Sequence, residues 1–314
     1  MIQKREIQQD PAAEPRNMVA PWGLVGIPDH EAVIPVGGRI GAARGPESFR
    51  KVFKKLRGRQ PIQERLIDLG DVPGLDADIS ANHEKAARLV REAHRRAHRS
   101  LVVGGSHDHG FSQLQGVSRW LSETGQAPNT TPSSERAAPR LGCINIDAHL
   151  DVRKPSPTIT SGSPFFLALE SGILAPSLFV EFGIQSHCNG PELWTYAETK
   201  GLRIIPFEET RWGKSVSLFA DELKRLADSC DAIVLSLDLD SAAQAFAPGV
   251  SAPQAEGFTS SELVAMAELA ARNPKVVSLG IFELNPEHDV DSRTARLAAT
   301  VAYHWLQEQC ENSP

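Results

Sequence analysis

The sequence predicts a three-layer α/β fold around a mainly parallel central sheet. Three observations carry that prediction. Short apolar runs alternate with longer stretches of helical periodicity along the chain. Several runs are apolar without a break, as in Ala232-Ile233-Val234-Leu235, which suits strands buried on both faces. Polar, ligand-type residues cluster just past three such runs, and the carboxyl edge of an open α/β sheet is where ligands bind.

Taken in order, residues 1–20 read as a loose polar arm with Pro11 and Pro15 and no apolar signal core. Strands follow at Trp22–Ile27 and Arg65–Gly70. A helix is expected over Ile79–His98, where Ala and Val recur against Arg and His at helical spacing, so that the basic stretch Arg88–Arg99 is a solvated face. Lys51–Arg59 reads as a basic helix end and loop. A strand at Ser100–Val103 comes next. Ser122–Arg140 then interrupts the rhythm with Gly125, Pro128, Pro132 and Pro139, and reads as an exposed insertion. Strands resume at Leu141–Ile146, Leu178–Phe182 and Arg203–Pro206. A helix over Ser215–Asp228 and a strand over Ala232–Leu237 follow. The helix Ser260–Arg272 has a cap in Thr259 or Ser260. Strand Val276–Leu284 and helix Thr294–Glu308 end the pattern. No internal repeat is visible, and residues 21–314 are expected to form one domain.

Composition narrows the function classes. Of 314 residues, 41% are hydrophobic and 23% charged, ordinary for a globular enzyme. A formal charge of −6 with no sustained Lys/Arg run argues against a nucleic-acid partner. No apolar run approaches the roughly 20 residues of a membrane span. Cys143, Cys188, Cys230 and Cys310 form no CxxC pair, so neither a disulfide framework nor a zinc knuckle is indicated, and a reducing cytoplasm fits.

The chemistry sits in four segments. Gly104-Gly105-Ser106-His107-Asp108-His109-Gly110 follows an apolar strand, and its glycines allow a sharp turn. Alone, His107 reads as a loop histidine more readily than as a ligand. A phosphate cradle fits poorly, because the Gly spacing is wrong and the Lys-Ser/Thr pair is missing. In Asp147-Ala148-His149-Leu150-Asp151, positions 147, 149 and 151 share a face if the backbone stays extended. The competing reading is a wet polar strand end, which the apolar lead-in opposes, since an uncompensated buried carboxylate is costly. Asp238-Leu239-Asp240 repeats the arrangement after Leu235-Ser236-Leu237. Four carboxylates with two neutral imidazoles balance two divalent ions, whereas one ion leaves a large repulsion. Oxygen and imidazole donors without thiolate favour a moderately hard ion such as Mn²⁺. Two such ions share a hydroxide that is nucleophilic near neutral pH. Glu283 ends a fourth apolar strand and is an acid in excess of that balance. It would pair with a cationic amidinium or guanidinium, with a capping or salt-bridged Glu as the competing reading.

Together these segments resemble the ureohydrolase superfamily of arginases, agmatinases and formimidoylglutamases. The resemblance covers most of the chain. It begins at Arg39-Ile40-Gly41-Ala42-Ala43-Arg44-Gly45-Pro46, similar to the family's early Gly-Ala-Gly-Pro loop, and runs to Glu283–Pro286. It implies an arginase-like αβα sandwich, trimers or hexamers, and two manganese ions. His107 and Asp151 would hold one ion, His149 and Asp240 the other, and Asp147 and Asp238 would bridge. Arginases and agmatinases usually continue the Asp-x-Asp segment with Asp-Pro; here it continues Ser241-Ala242-Ala243 to Ala252-Pro253, which resembles formimidoylglutamase. So do Asp151-Val152-Arg153, Ser161–Phe165, Gly183–Ser186 and Asn285–Ala295. The arginase-type histidine for proton transfer is missing near Ser161–Phe165, and His109 is unusual for the family, best placed in the loop rather than on a metal.

The resemblance implies hydrolysis of N-formimidoyl-L-glutamate to L-glutamate and formamide, with Glu283 on the amidinium. For the substrate carboxylates, Arg153 is the first choice because its fork fits a carboxylate, against a structural salt bridge. Ser161, Gly162 and Ser163 could add hydrogen bonds. The rivals are hydrolysis of arginine, agmatine or another guanidino compound, a catalytically silent metal-binding paralogue, and a two-metal phosphoesterase, the last opposed by the lack of a basic or Gly-rich cradle.

Overall fold

The computed structural model describes residues 22–58, 62–97, 99–124 and 139–311. The elements run β1 (Trp22–Ile27), α1 (Gly45–Phe53), β2 (Leu66–Asp71), α2 (Ile79–Ala97), β3 (Arg99–Gly104), α3 (His109–Thr124) and β4 (Leu141–Ile146). Then come α4 (Pro164–Glu170), β5 (Phe179–Ile184), α5 (Pro191–Lys200), β6 (Arg203–Pro206), the single turn α6 (Phe207–Thr210) and α7 (Ser215–Ser229). β7 (Ala232–Asp238), α8 (Ser260–Arg272), β8 (Val276–Phe282) and α9 (Arg293–Glu311) complete the order. All eight expected strands form, and every pairing in the sheet is parallel. The expected arm at 1–20 lies outside the described residues. So does most of the expected insertion, whose first residues, Ser122–Thr124, are instead the end of α3.

The strand order is β2-β1-β3-β8-β7-β4-β5-β6. Strand side chains alternate between two cores, one on each sheet face. In β7, Ile233, Leu235 and Leu237 join the core that also holds Phe49, Phe219, Met266 and Trp305 from α1, α7, α8 and α9. Ala232 and Val234 point the other way, to Val90, Trp120 and Phe165 from α2, α3 and α4. This double burial is why the strands read as unbroken apolar runs. Trp305 stands against Trp22 with ring centroids 3.9 Å apart and fastens α9 to β1.

The basic face of α2 is held by acids. Arg91 and Arg95 pair with Glu123 of α3, and Glu84 pairs with Arg88 and Arg119. Thr259 caps α8 through a complete capping box with Glu262. Four strands that are neighbours in the sheet, β3, β8, β7 and β4, carry at their carboxyl ends the four segments singled out above.

Candidate metal centre and substrate cleft

After β3 the chain turns through Gly105. A Cβ there would lie 1.9 Å from the Asp29 carbonyl oxygen, so only glycine lets the two loops touch. His107 follows, buried. After β4 the backbone does not stay extended as expected. The strand stops at Ile146, the chain bends, and the Asp147 carboxylate accepts the His149 N–H at 2.7 Å. Asp151 sits in the left-handed region at φ 47°. Asp147, His149 and Asp151 therefore converge through a turn, not through strand alternation. The second Asp-x segment uses the same device: the Asp238 carboxylate accepts the Asp240 N–H at 2.8 Å and opens a short 3₁₀ turn over Leu239–Ser241. Glu283 is also left-handed, at φ 64°, a conformation costly for a side-chain-bearing residue. Its N–H donates to the Gly105 carbonyl at 2.7 Å, which ties β8 to the β3 loop.

The donors meet closely. His107 Nδ1 lies 3.1 Å from Asp147 Oδ2, 2.9 Å from Asp151 Oδ2 and 3.0 Å from Asp238 Oδ2. His149 Nδ1 lies 3.0 Å from Asp240 Oδ2 and 3.5 Å from Asp147 Oδ1. Two groups result, one of His107, Asp147, Asp151 and Asp238, the other of Asp147, His149 and Asp240. Asp147 belongs to both. Asp238 falls in the first; its second oxygen, like that of Asp147, accepts a backbone N–H two residues on, from Asp240.

These residues fit metal ions better than they fit one another. One imidazole nitrogen carries at most one proton, yet three carboxylate oxygens surround His107 Nδ1. His107 Nε2 lies 2.9 Å from the Ser236 hydroxyl, and a proton kept on Nε2 leaves a lone pair on Nδ1. Without cations, the site strains toward taking up protons. Burial, with the neighbouring carboxylates, pushes Asp151 and Asp238 upward and Asp240 up to about 6. Burial alone would lower His107 and His149, but the carboxylates beside them hold both well above the usual imidazole range. Four buried acids in contact call for about four positive charges, and two divalent ions supply them.

A cleft of about 230 Å³ opens above the donors. Arg153, Ser161 and Gly162 line it. The Arg153 side chain is exposed, and no ion pair engages it among the described residues, so the structural salt bridge weighed for it is not formed there. Ser163 does not line the cleft. It is buried at the start of α4, with its hydroxyl 3.1 Å from that of Thr160. Glu283 lies at the cleft floor, where Oε1 accepts the His107 N–H at 2.9 Å and the buried Oε2 has no hydrogen-bond partner. His109 is turned away from this donor set, toward Asp29 and Ser112.

Sequence reasoning missed Ser236, Asn189, Cys188 and Ser251. Ser236 carried a signal, as the polar residue two before Asp238 in an apolar strand. Asn189 accepts the Leu150 N–H at 2.8 Å and donates to the Ala148 carbonyl at 3.1 Å, holding the β4 turn in shape. Nothing in its local pattern distinguishes it from an ordinary loop Asn. Cys188 and Ser251 line the cleft from segments far apart in sequence.

Comparison with known proteins adds to this geometry. The arginase family matches residues 20–307. The chain is 34% identical over 305 residues to the formimidoylglutamase of Paraburkholderia xenovorans strain LB400, covering 92% of each. It is 31% identical over 284 residues to that of Staphylococcus carnosus strain TM300, covering 90% of this chain and 85% of that one. Among solved structures it superposes on Trypanosoma cruzi formiminoglutamase with Mn²⁺ at a TM-score of 0.80 and 27% identity, covering 96% and 97% of the two chains. Bacillus subtilis formimidoylglutamase shares the fold at a TM-score of 0.81 and 22% identity, covering 98% and 97%.

Proposed function

Because the chain belongs to the arginase family, we propose that it is a two-manganese hydrolase converting N-formimidoyl-L-glutamate and water to L-glutamate and formamide, a step of histidine degradation. The convergence of two imidazoles, four carboxylates and the free oxygen of Glu283 under one cleft carries this reading. The similarity to formimidoylglutamases selects the substrate among amidines and guanidines.

Each residue has a role in it. His107 and Asp151 would hold one ion and His149 and Asp240 the other, with Asp147 and Asp238 serving both. Bound there, the ions supply Lewis acidity and a water acidified enough to attack near neutral pH. Glu283 Oε2 pairs with the amidinium of the formimidoyl group, which fixes that carbon over the ions and away from bulk water. Water oxygen adds to the carbon, the bond from that carbon to the glutamate nitrogen breaks, and the nitrogen leaves with a proton. Arg153 at the rim receives a substrate carboxylate in a forked pair, and Ser161 and Gly162 offer further donors. The lining histidines are His107 and His149, both committed to ions, so the leaving proton travels by another route.

Two further readings go with it. The free thiols of Cys143, Cys188 and Cys230 suit a reducing cytoplasm. A homotrimer or homohexamer is expected, and light scattering measures it. No helix among the described residues is long and apolar enough to cross a membrane.

The test is a substrate panel with Mn²⁺-loaded protein, measuring formamide, urea and ammonia separately. Formamide from formimidoylglutamate is the expected product. Urea from an arginine-like compound, with no formamide, would move the substrate to a guanidine.

A further inference from the structure

Behind the loop that carries His107 lies a second set of buried polar and ionisable groups that take no part in the reaction. Asp29, Asn82, His83, Asp108 and His109 are all buried. His83, Asp108 and His109 bring ligand-type atoms within 4.8 Å of one another, which raises the question of a third ion. Distance answers it. Two ligands about 2.1 Å from one ion and at right angles are about 3 Å apart. The closest donor pairs around His107 and His149 span 2.9–3.1 Å and match that edge. His83 Nε2 and Asp108 Oδ2 are 2.6 Å apart, too close to share an ion and right for a charge-assisted hydrogen bond. Both ring nitrogens of His109 are taken as well, Nε2 by Asp29 at 3.0 Å and Nδ1 by the Ser112 hydroxyl at 2.9 Å.

The cluster grips the loop from several sides. The Gly105 N–H donates to the Ile27 carbonyl and the Ser106 N–H to the Asp29 carbonyl, each at 2.9 Å. The Asp29 carboxylate also accepts from Asn82 in the first turn of α2, at 2.8 Å. His83, the next residue of that turn, reaches Asp108. Asp108 and His109 directly follow His107, so both side-chain bonds restrain the peptide that carries the imidazole. That same peptide orients Glu283, whose carboxylate accepts the His107 N–H.

We propose that the pairs His83–Asp108 and Asp29–His109 are a positioning clamp, which sets at once where His107 presents Nδ1 and where Glu283 holds its carboxylate. The proposal rests on the two-ion reading of the site. The clamp's value lies in geometry more than in net stability: a buried polar pair is a weak source of folding energy compared with well-packed apolar side chains, although removing one partner alone is costly. It makes α2, an element with no residue in the cleft, a determinant of both metal affinity and substrate affinity.

The experiment uses full-length protein and compares His83→Leu, His83→Gln and the remote core variant Val90→Ala. Stepwise Mn²⁺ binding is followed by calorimetry and by electron paramagnetic resonance, with KM, kcat and Tm alongside. In His83→Leu, affinity for the ion at His107 falls about 10–100-fold, the ion at His149 and Asp240 is unaffected, and KM rises. His83→Gln recovers most of the loss, because its amide can still donate to Asp108. Val90→Ala lowers Tm without separating the two metal steps. If His83→Leu leaves both metal steps and KM at wild-type values, or weakens both steps equally as a general loosening would, the clamp is wrong. Should His83→Leu fail to fold, Asp108→Asn decides by the same separation of steps. Failure of the two-ion reading shows itself differently, as wild-type protein that takes up fewer than two ions, and the clamp then falls with it.

Discussion

Asp147 touches both donor groups, through Oδ2 toward His107 and Oδ1 toward His149. Its replacement should therefore disturb both ions, where Asp151 or Asp240 disturbs one. Asp147→Asn keeps the shape and removes the charge. Metal content after dialysis should fall below two Mn²⁺ per chain, with affinity down by at least about 100-fold, more than an outer partner costs. Full metal content at wild-type activity would remove Asp147 from the ligand set. Glu283 permits a cleaner separation. Gln at 283 keeps an acceptor for the His107 N–H and loses only the negative charge. A hydrogen bond to a charged group contributes about 1.5–3 kcal/mol, so Glu283→Gln should lower kcat/KM about 10–100-fold and leave Mn²⁺ content intact. Unchanged kcat/KM would mean that the amidinium pairs elsewhere.

At the scale of elements, two contacts of specific residues decide how helices meet the sheet. Thr259 and Glu262 satisfy each other's backbone groups at the start of α8, with the Glu262 N–H donating to the Thr259 hydroxyl at 3.3 Å. Thr259→Ala should cost about 1 kcal/mol in urea unfolding with no change in metal content. Asp29 joins the β1 loop to α2 and α3. Burial alone would raise its carboxyl, but His109, the Glu31 N–H and Asn82 hold it down at about 2, from a usual 3.8. A depressed acid stabilises the fold above its unfolded pKa and loses that contribution as pH falls through the folded value. In metal-free protein, Asp29→Asn should be less stable than wild type by about 2 kcal/mol at pH 6, with the gap closing between pH 4 and pH 2. A gap independent of pH would mean that packing, not charge, explains the loss. The helices whose starts the sequence left unmarked have readable causes too. α3 begins inside the polar ligand loop and contains Gly110 and Gly116, so its apolar stripe starts late. α1 opens on Gly45-Pro46, a loop signal that here marks a helix start.

Across the whole molecule, the ions would join the ends of β3, β4 and β7, which sequence separates by up to about 130 residues and the sheet brings together. Binding to the folded state alone stabilises by about 4 kcal/mol when ligand is present at about a thousand times Kd. Saturating Mn²⁺ should therefore raise Tm above that of chelator-treated protein by on the order of 10 °C. Calorimetric scans with and without chelator measure this, and coincident transitions would mean that the centre is not assembled from these strands.

Local pattern was enough to determine the α/β class and all eight strands, and to single out the six candidate donors and Glu283. Strand burial writes itself as apolar runs, and a carboxylate just past such a run is anomalous without a cation. Tertiary structure decided what depends on distant segments. It set the order β3-β8-β7-β4, which gathers the four segments on one edge. It turned Ser163 inward and bent the Asp147–Asp151 segment out of the extended course that period-two reasoning assumed. It brought Ser251 and Asn189 to the cleft and Asp29 to His109. Periodicity is a property of neighbours in the chain, whereas strand order and loop contacts are settled by packing between parts that no local window contains.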